Sequence, residues 1–142
     1  MTFHLSVFLE NKPGKLEKIT KVLADSKINL RALSLASAGN FGVVKLLVDD
    51  PHKAFDELKK QNITVTKRKI AAAVIDNVPG AFHNLLQKLS ANNINVEDCY
   101  GFLLSDGKTA AMVLETENQP DGESVFEKIG IDVLKEDRIY KY

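Results

Sequence analysis

The feature that most constrains this chain is that it repeats itself. Pro13-Gly14 returns as Pro79-Gly80, 66 positions on, and the same offset carries Asn11 to Asn77, Leu16 to Phe82, Ile19 to Leu85 and Leu23 to Leu89. Ile28-Asn29-Leu30 falls on Ile94-Asn95-Val96, and Val44 to Asp49 falls on Ala110 to Glu115, apolar on apolar with an acid at the end. After that segment the register slips by two, so that Ile63 and Val65 pair with Ile131 and Val133. Two copies of a long period indicate a duplicated domain, because a solenoid needs three or more stacked units. The expected domains are residues 1–69 and 70–142, which together take up the 142-residue chain.

Each half carries the same series of elements. Phe3, Leu5, Val7 and Leu9 alternate with His4, Ser6, Phe8 and Glu10, the period of a strand, and the counterpart is Ala71 to Ile75. Pro13 and Pro79 open helices, since proline is tolerated in a first turn. Phe82, Leu85, Leu86 and Leu89 make one apolar stripe, as do Leu16, Ile19, Val22 and Leu23. Second strands are expected at about Leu30 to Ser37 and Val96 to Leu104, then hairpin turns at Gly39-Asn40 and Asp106-Gly107. Third strands follow at Val43 to Val48 and Ala110 to Glu115. Second helices cover about Pro51 to Gln61 and Asp121 to Ile129, and closing strands run from Ile63 to Lys67 and Ile131 to Lys135. The order is β-α-β-β-α-β twice: an α+β chain of two ferredoxin-like repeats packed together, with antiparallel sheets and helices on one face. The join, Val65 to Ala71, contains no Gly, Pro or Ser cluster, so no flexible linker is expected there.

Composition excludes several functions. Nineteen Lys and Arg against nineteen Asp and Glu leave no net charge, which argues against a protein built to neutralise phosphates. No apolar run approaches the roughly 20 residues of a membrane span, and no signal peptide is seen at the N-terminus. Cys99 is the only cysteine and fits a reducing cytoplasm.

Catalytic chemistry finds no foothold. His4, His52 and His83 lack partners at metal-ligand spacing, Cys99 has no CxxC partner, and no GxxxxGK loop is present. His83 reads as a solvated helix residue and His4 as a sheet-face residue. RNA recognition on this element order stacks bases on central-strand aromatics, and the third strands as read contain none. The run Lys67-Arg68-Lys69 reads as a solvated strand end.

What remains is the repeated turn, Glu10-Asn11-Lys12-Pro13-Gly14 and Asp76-Asn77-Val78-Pro79-Gly80. A helix N-terminus offers unpaired N–H groups and a partial positive charge, a seat for a carboxylate. Gly14 and Gly80 would let a ligand approach the backbone, and Asn11 and Asn77 carry both donors and acceptors. The structural alternative is that Asn caps the turn, Pro starts the helix and Gly relieves crowding.

Strand, Asn-x-Pro-Gly-x-Leu/Phe, helix, then Ile-Asn-Leu/Val resembles the ACT domain, a regulatory module of amino-acid metabolism, and is similar in particular to the serine-feedback domain of phosphoglycerate dehydrogenases. The resemblance covers both halves. It implies a ligand held between two such domains by Asn11, Gly14, Leu16 and Asn29, with Asn77, Gly80, Phe82 and Asn95. Those dehydrogenases carry a His two residues before the motif Asn, where this chain has Leu9 and Ile75, so the resemblance implies an amino acid without specifying serine. The expected protein is a non-catalytic cytoplasmic regulator that binds a free amino acid and signals to a metabolic enzyme. It needs no cofactor or metal, does not bind nucleic acid or membrane, and forms a homodimer. Phe8, Val74 and Phe102 are the expected apolar contact positions. The alternative is a regulatory subunit that docks on an enzyme and has lost its ligand.

Overall fold

The computed structural model describes residues 1–117 and 121–141. The elements are β1 (Thr2–Glu10), α1 (Lys15–Asp25), β2 (Leu30–Ala38), β3 (Phe41–Val48), α2 (Pro51–Lys60), β4 (Val65–Asp76), α3 (Ala81–Ala91), β5 (Val96–Leu103), β6 (Thr109–Thr116), α4 (Gly122–Lys128) and α5 (Glu136–Ile139). They form two compact units: Phe3–Arg68, and Lys69–Tyr142 together with Met1–Thr2. Each is a βαββαβ-like repeat, an antiparallel sheet with helices on one face.

In the unit Phe3–Arg68, β3 lies between β1 and β2, with Leu5 opposite Leu46 and Leu33 opposite Leu46 on the other side. The closing segment joins at the free side of β1, where Phe8 N–H donates to the Thr64 carbonyl at 3.0 Å. Alternation puts Leu5, Val7, Val44, Leu46 and Val48 on one face, where Ile19, Leu23, Ala54 and Leu58 cover them. Each Val, Leu or Ile side chain so buried contributes about 1.5–3 kcal/mol.

In the other unit β6 lies between β4 and β5, with Ala71 opposite Leu114 and Cys99 opposite the same residue. Here Ala71 and Ala73 stand where the first repeat has Leu5 and Val7, which would leave the sheet face thin. Phe126 makes up the volume. It replaces Leu58 and is fully buried among Ala71, Ala73, Leu85, Leu89 and Leu114. Close packing without voids demands such compensation.

All four long helices leave by one route. The residue after the C-cap is left-handed: Lys27 (φ 56°), Asn62 (φ 58°), Asn93 (φ 55°) and Gly130 (φ 81°). The next residue is always Ile, and its N–H donates back into the last turn: Ile28 to Leu23, Ile63 to Leu58, Ile94 to Leu89 and Ile131 to Phe126. This is the Schellman arrangement, with its hydrophobic contact between the last-turn residue and the Ile.

Several sequence expectations are corrected. The two-residue slip between repeats lies earlier than expected. Leu5↔Leu46 against Ala71↔Leu114, and Leu30↔Val48 against Val96↔Thr116, show β3 already displaced by 68. The extra residues sit in the β5–β6 hairpin, and a loop absorbs them at small cost. A shift of two preserves which face each side chain occupies, so the strand itself gave no sign of it. The helices begin at Lys15 and Ala81, after Gly14 and Gly80 in left-handed conformation, so Pro13 and Pro79 stand in the turn and not in the helix. The closing strand of the first repeat and the first strand of the second are one strand, β4, so Lys67-Arg68-Lys69 lies within it and not at its end. Residues Ile131 to Lys135 make only a bridge, Val133 to Ala73, flanked by Val74 N–H to Asp132 O and Leu134 N–H to Ala72 O. The chain then turns into α5, which buries Ile139. β3 begins at Phe41, so a third strand does carry an aromatic residue. Its ring stacks on Phe8 with centroids 5.2 Å apart. Phe8 is half exposed, whereas Val74 and Phe102 are partly covered.

Phe126→Ala should cost about 3–5 kcal/mol in chemical denaturation, because the small alanines beneath cannot close the gap, and Phe126→Leu less, because it leaves a smaller one. In the β5–β6 hairpin the Asp106 carboxylate accepts from Thr109 N–H, Lys108 N–H and the Thr109 hydroxyl, and these bonds hold its pKa below the ordinary Asp value. A depressed pKa means that the contribution is present above the unfolded value of about 4 and is lost as pH falls through the folded one. An NMR titration of the Asp106 carboxyl should give a midpoint below that of a model peptide.

Candidate ligand site

The repeated turn is built on glycine. Gly14 and Gly80 cap α1 and α3 with φ of 85° and 88°, and a Cβ added at either would meet nothing within 4 Å. The glycine therefore meets a backbone requirement, left-handed φ, and not a crowded position. Neither cap receives a side-chain hydrogen bond. By contrast, α2 and α4 begin at Asp50 and Asp121, whose carboxylates accept from Lys53 N–H and Ser124 N–H. An aspartate cap satisfies an orphan donor and places negative charge at the helix start. The two motif helices lack such a cap, and α3 also has no acid in its first turn, whereas α1 carries Glu17 there.

Asn11 caps no helix. Its backbone N–H donates to Asn40 O at 2.8 Å and its side-chain amide to Gly39 O at 3.0 Å, which ties the turn to the β2–β3 hairpin. Asn77 repeats the backbone bond, to Lys108 O at 2.8 Å. Among the described residues the Asn77 side chain has no hydrogen-bond partner, so its amide is available where that of Asn11 is partly committed. Asn29 sits where β2 begins, its N–H held by Asp49 Oδ1 and its carbonyl by Asp49 N–H. Asn95 is held likewise through its carbonyl by Glu117 N–H. Leu16 packs against the first core, and Phe82 is exposed.

The motif asparagines of one repeat do not meet. Glu10 pairs with Phe41 at one end of β3 and Leu30 with Val48 at the other. Seven residues at about 3.4 Å per residue separate Glu10 from Leu30 by about 24 Å along the strand, and Asn11 and Asn29 lie one residue beyond those ends, beside Asn40 and Asp49. Asn77 and Asn95 stand apart in the same way, just beyond the pairs Asp76↔Thr109 and Val96↔Thr116. Asn95 instead borders a groove of about 380 Å³ with Leu86, Leu89, Ser90 and Asn93.

The repeats differ in charge at the turn. Glu10 binds Lys12 at 3.0 Å and Lys15 at 3.6 Å, and the Lys12 hydrogen bond chiefly holds the Glu10 carboxyl below its usual range. The second repeat has Val78 and Ala81 in place of the lysines. Sequence reading did not single out this ion cluster, although the substitution of both lysines between aligned repeats was the signal. Cys99 is half-buried and burial pushes its thiol up to about 11, so it is protonated at neutral pH. His83 is exposed on α3 and His4 is buried in β1. No helix among the described residues is long and apolar enough to cross a membrane.

Two repeats of this element order, each with a glycine-led first helix, make a duplicated βαββαβ-like module. The chain belongs to the ACT domain pair family, whose pattern matches residues 1–141. It is similar to a crystal structure of a protein from Bacteroides thetaiotaomicron, with 35% identity, a TM-score of 0.90, and coverage of 99% of this chain and 96% of that one. It also resembles the ligand-free regulatory subunit of aspartate kinase from Thermus thermophilus, with 15% identity, a TM-score of 0.65, and coverage of 90% and 92%. The corresponding subunit from Thermus flavus gives 13% identity, a TM-score of 0.60, and coverage of 99% and 93%. At these identities the two subunits share the fold. Among curated protein sequences none matches significantly.

Gly14→Ala should destabilise by about 1–2 kcal/mol, while Gly14→Asn should cost less because Asn tolerates left-handed φ. Equal losses in urea denaturation would show that something other than backbone strain is at work.

Proposed function

We propose that this ACT domain pair is a non-catalytic regulator that binds a free amino acid at an interface between two ACT-like domains. The observation that carries the reading is the contrast among helix starts. Two glycine-led N-termini, at the same place in both repeats, lack any side-chain cap, while the other two long helices are capped by aspartate. An open N-terminus suits the α-carboxylate, and the asparagine amides suit the α-amino group. The separation of the two asparagines of one repeat, more than about 24 Å, supports a shared set. One small molecule touches Asn11 and Gly14, or Asn77 and Gly80, from one domain, and Asn29 or Asn95 from another. Leu16 and Phe82 supply its apolar contacts.

The ligand's output is a change in how the protein docks on a metabolic enzyme, as expected of a module whose fold recurs in regulatory subunits of aspartate kinase. Assembly as a homodimer would supply the second domain, and the domain division is residues 1–69 and 70–142.

A thermal-shift screen of the twenty amino acids tests this. A true ligand at about 100 times its dissociation constant stabilises by about 2.7 kcal/mol. Asn77→Ala should abolish the shift if the second repeat binds, and Asn11→Ala if the first does. A screen in which no amino acid moves the melting temperature overturns the reading.

A further inference from the structure

Each repeat has a groove on the far side of its first helix from Asn29 or Asn95. In the first repeat it is lined by Leu9, Glu10, Lys15, Lys18, Ile63 and Thr64, among others, with a volume of about 220 Å³. In the second it is lined by the equivalent Ile75, Asp76, Ala81, Asn84, Ile131 and Asp132, with a volume of about 250 Å³. The shape comes from the fold. The end of the first strand, the outer face of the helix and the Schellman corner before the closing segment leave a gap between them.

The charge does not come from the fold. The first groove has two cations to one acid. Lys15 and Lys18 are three residues apart on α1 and therefore share a face, where like charges repel by a few tenths of a kcal/mol. Lys18 has no ion-pair partner among the described residues, and Lys15 shares Glu10 with the closer Lys12. The second groove replaces these lysines by Ala81 and Asn84, replaces Thr64 by Asp132, and retains Asp76. Lys88 spans it, donating from Nζ to Gly130 O at 3.1 Å.

We propose that the first-repeat groove binds a small aliphatic carboxylate, amino acids included. Lys15 and Lys18 hold the carboxylate, the apolar wall of Leu9, Ile19 and Ile63 takes the aliphatic part, and Glu10 receives an amino group where there is one. A bound carboxylate relieves the repulsion between the two ammonium groups and supplies Lys18 with its missing partner. The second groove, at the same place in the fold but crossed by Lys88 and lined by Asp76 and Asp132, excludes the same ligand. This site is separate from the interface site and does not rest on that reading.

The experiment is a 15N-HSQC titration of the full chain with L-valine, 3-methylbutanoate and 2-methylpropylamine. Both carboxylates should give saturable shifts at the amides of Lys18, Asn62, Ile63 and Thr64, valine the tighter. The amine, which lacks the carboxylate, should give none there. The double variant Lys15→Ala, Lys18→Asn installs the residues of the second repeat at solvent-facing positions and should weaken binding at least about tenfold. Lys18→Gln alone should weaken it in the same direction. The proposal is overturned by absence of saturable shifts at those amides, by undiminished binding in the double variant, or by equal binding of the amine. Shifts confined to Asn11, Asn29, Asn77 or Asn95 would uphold the interface site and sink this one.

Discussion

Each repeat depends on the way a helix is handed back to its sheet. A helix lying on a sheet must stop at the right turn and send the chain down to start or approach the next strand. Here that is done four times by one device: a left-handed residue, then an isoleucine whose N–H returns to the last helical turn. The isoleucine is drawn into the same core as the residue that receives its hydrogen bond, as with Ile28 beside Leu23 and Ile131 beside Phe126. Helix length, entry of the following segment and closure of the core edge are thus set together. The same corners, at Asn62-Ile63 and Gly130-Ile131, leave the paired grooves beside α1 and α3.

The order of elements was legible because two independent signals agreed, periodicity within each half and correspondence between the halves. Misplacements arose where sequence chemistry is degenerate. The two-residue insertion was assigned after the third strand because a displacement of two leaves an alternating strand's faces unchanged; only the pairing Leu30↔Val48 against Val96↔Thr116 reveals the hairpin as its place. Proline suits a first turn, so the sequence points to Pro13 and Pro79 as helix starts. The following glycine, at φ 85° and 88°, forbids that start. The closing segment of the second half repeats the Ile-x-Val pattern of the first, which predicts a strand. There Leu134 and Ile139 pull the chain into the core after a single bridge.

The candidate site divides in the same manner. The duplicated turn, its asparagine and its glycine stood out from sequence because they recur. Their roles did not, since a residue type does not say what its neighbours are. Glycine serves a left-handed angle, not a tight space, and Asn11 binds a hairpin carbonyl, not a helix end. Nor could the sequence show that Asn11 and Asn29, 18 residues apart in the chain, stand at opposite ends of one strand ladder.

The sequence by itself determined that this protein is two copies of one βαββαβ plan, because apolar periodicity and turn chemistry are local properties that survive duplication. Tertiary structure alone decided what the copies do not share. Phe126 fills the volume that Ala71 and Ala73 leave empty, and Lys15 and Lys18 face a groove whose twin presents Asp76 and Asp132. Volume and charge in a cavity are sums over residues far apart in the chain, and only folding brings them to one place.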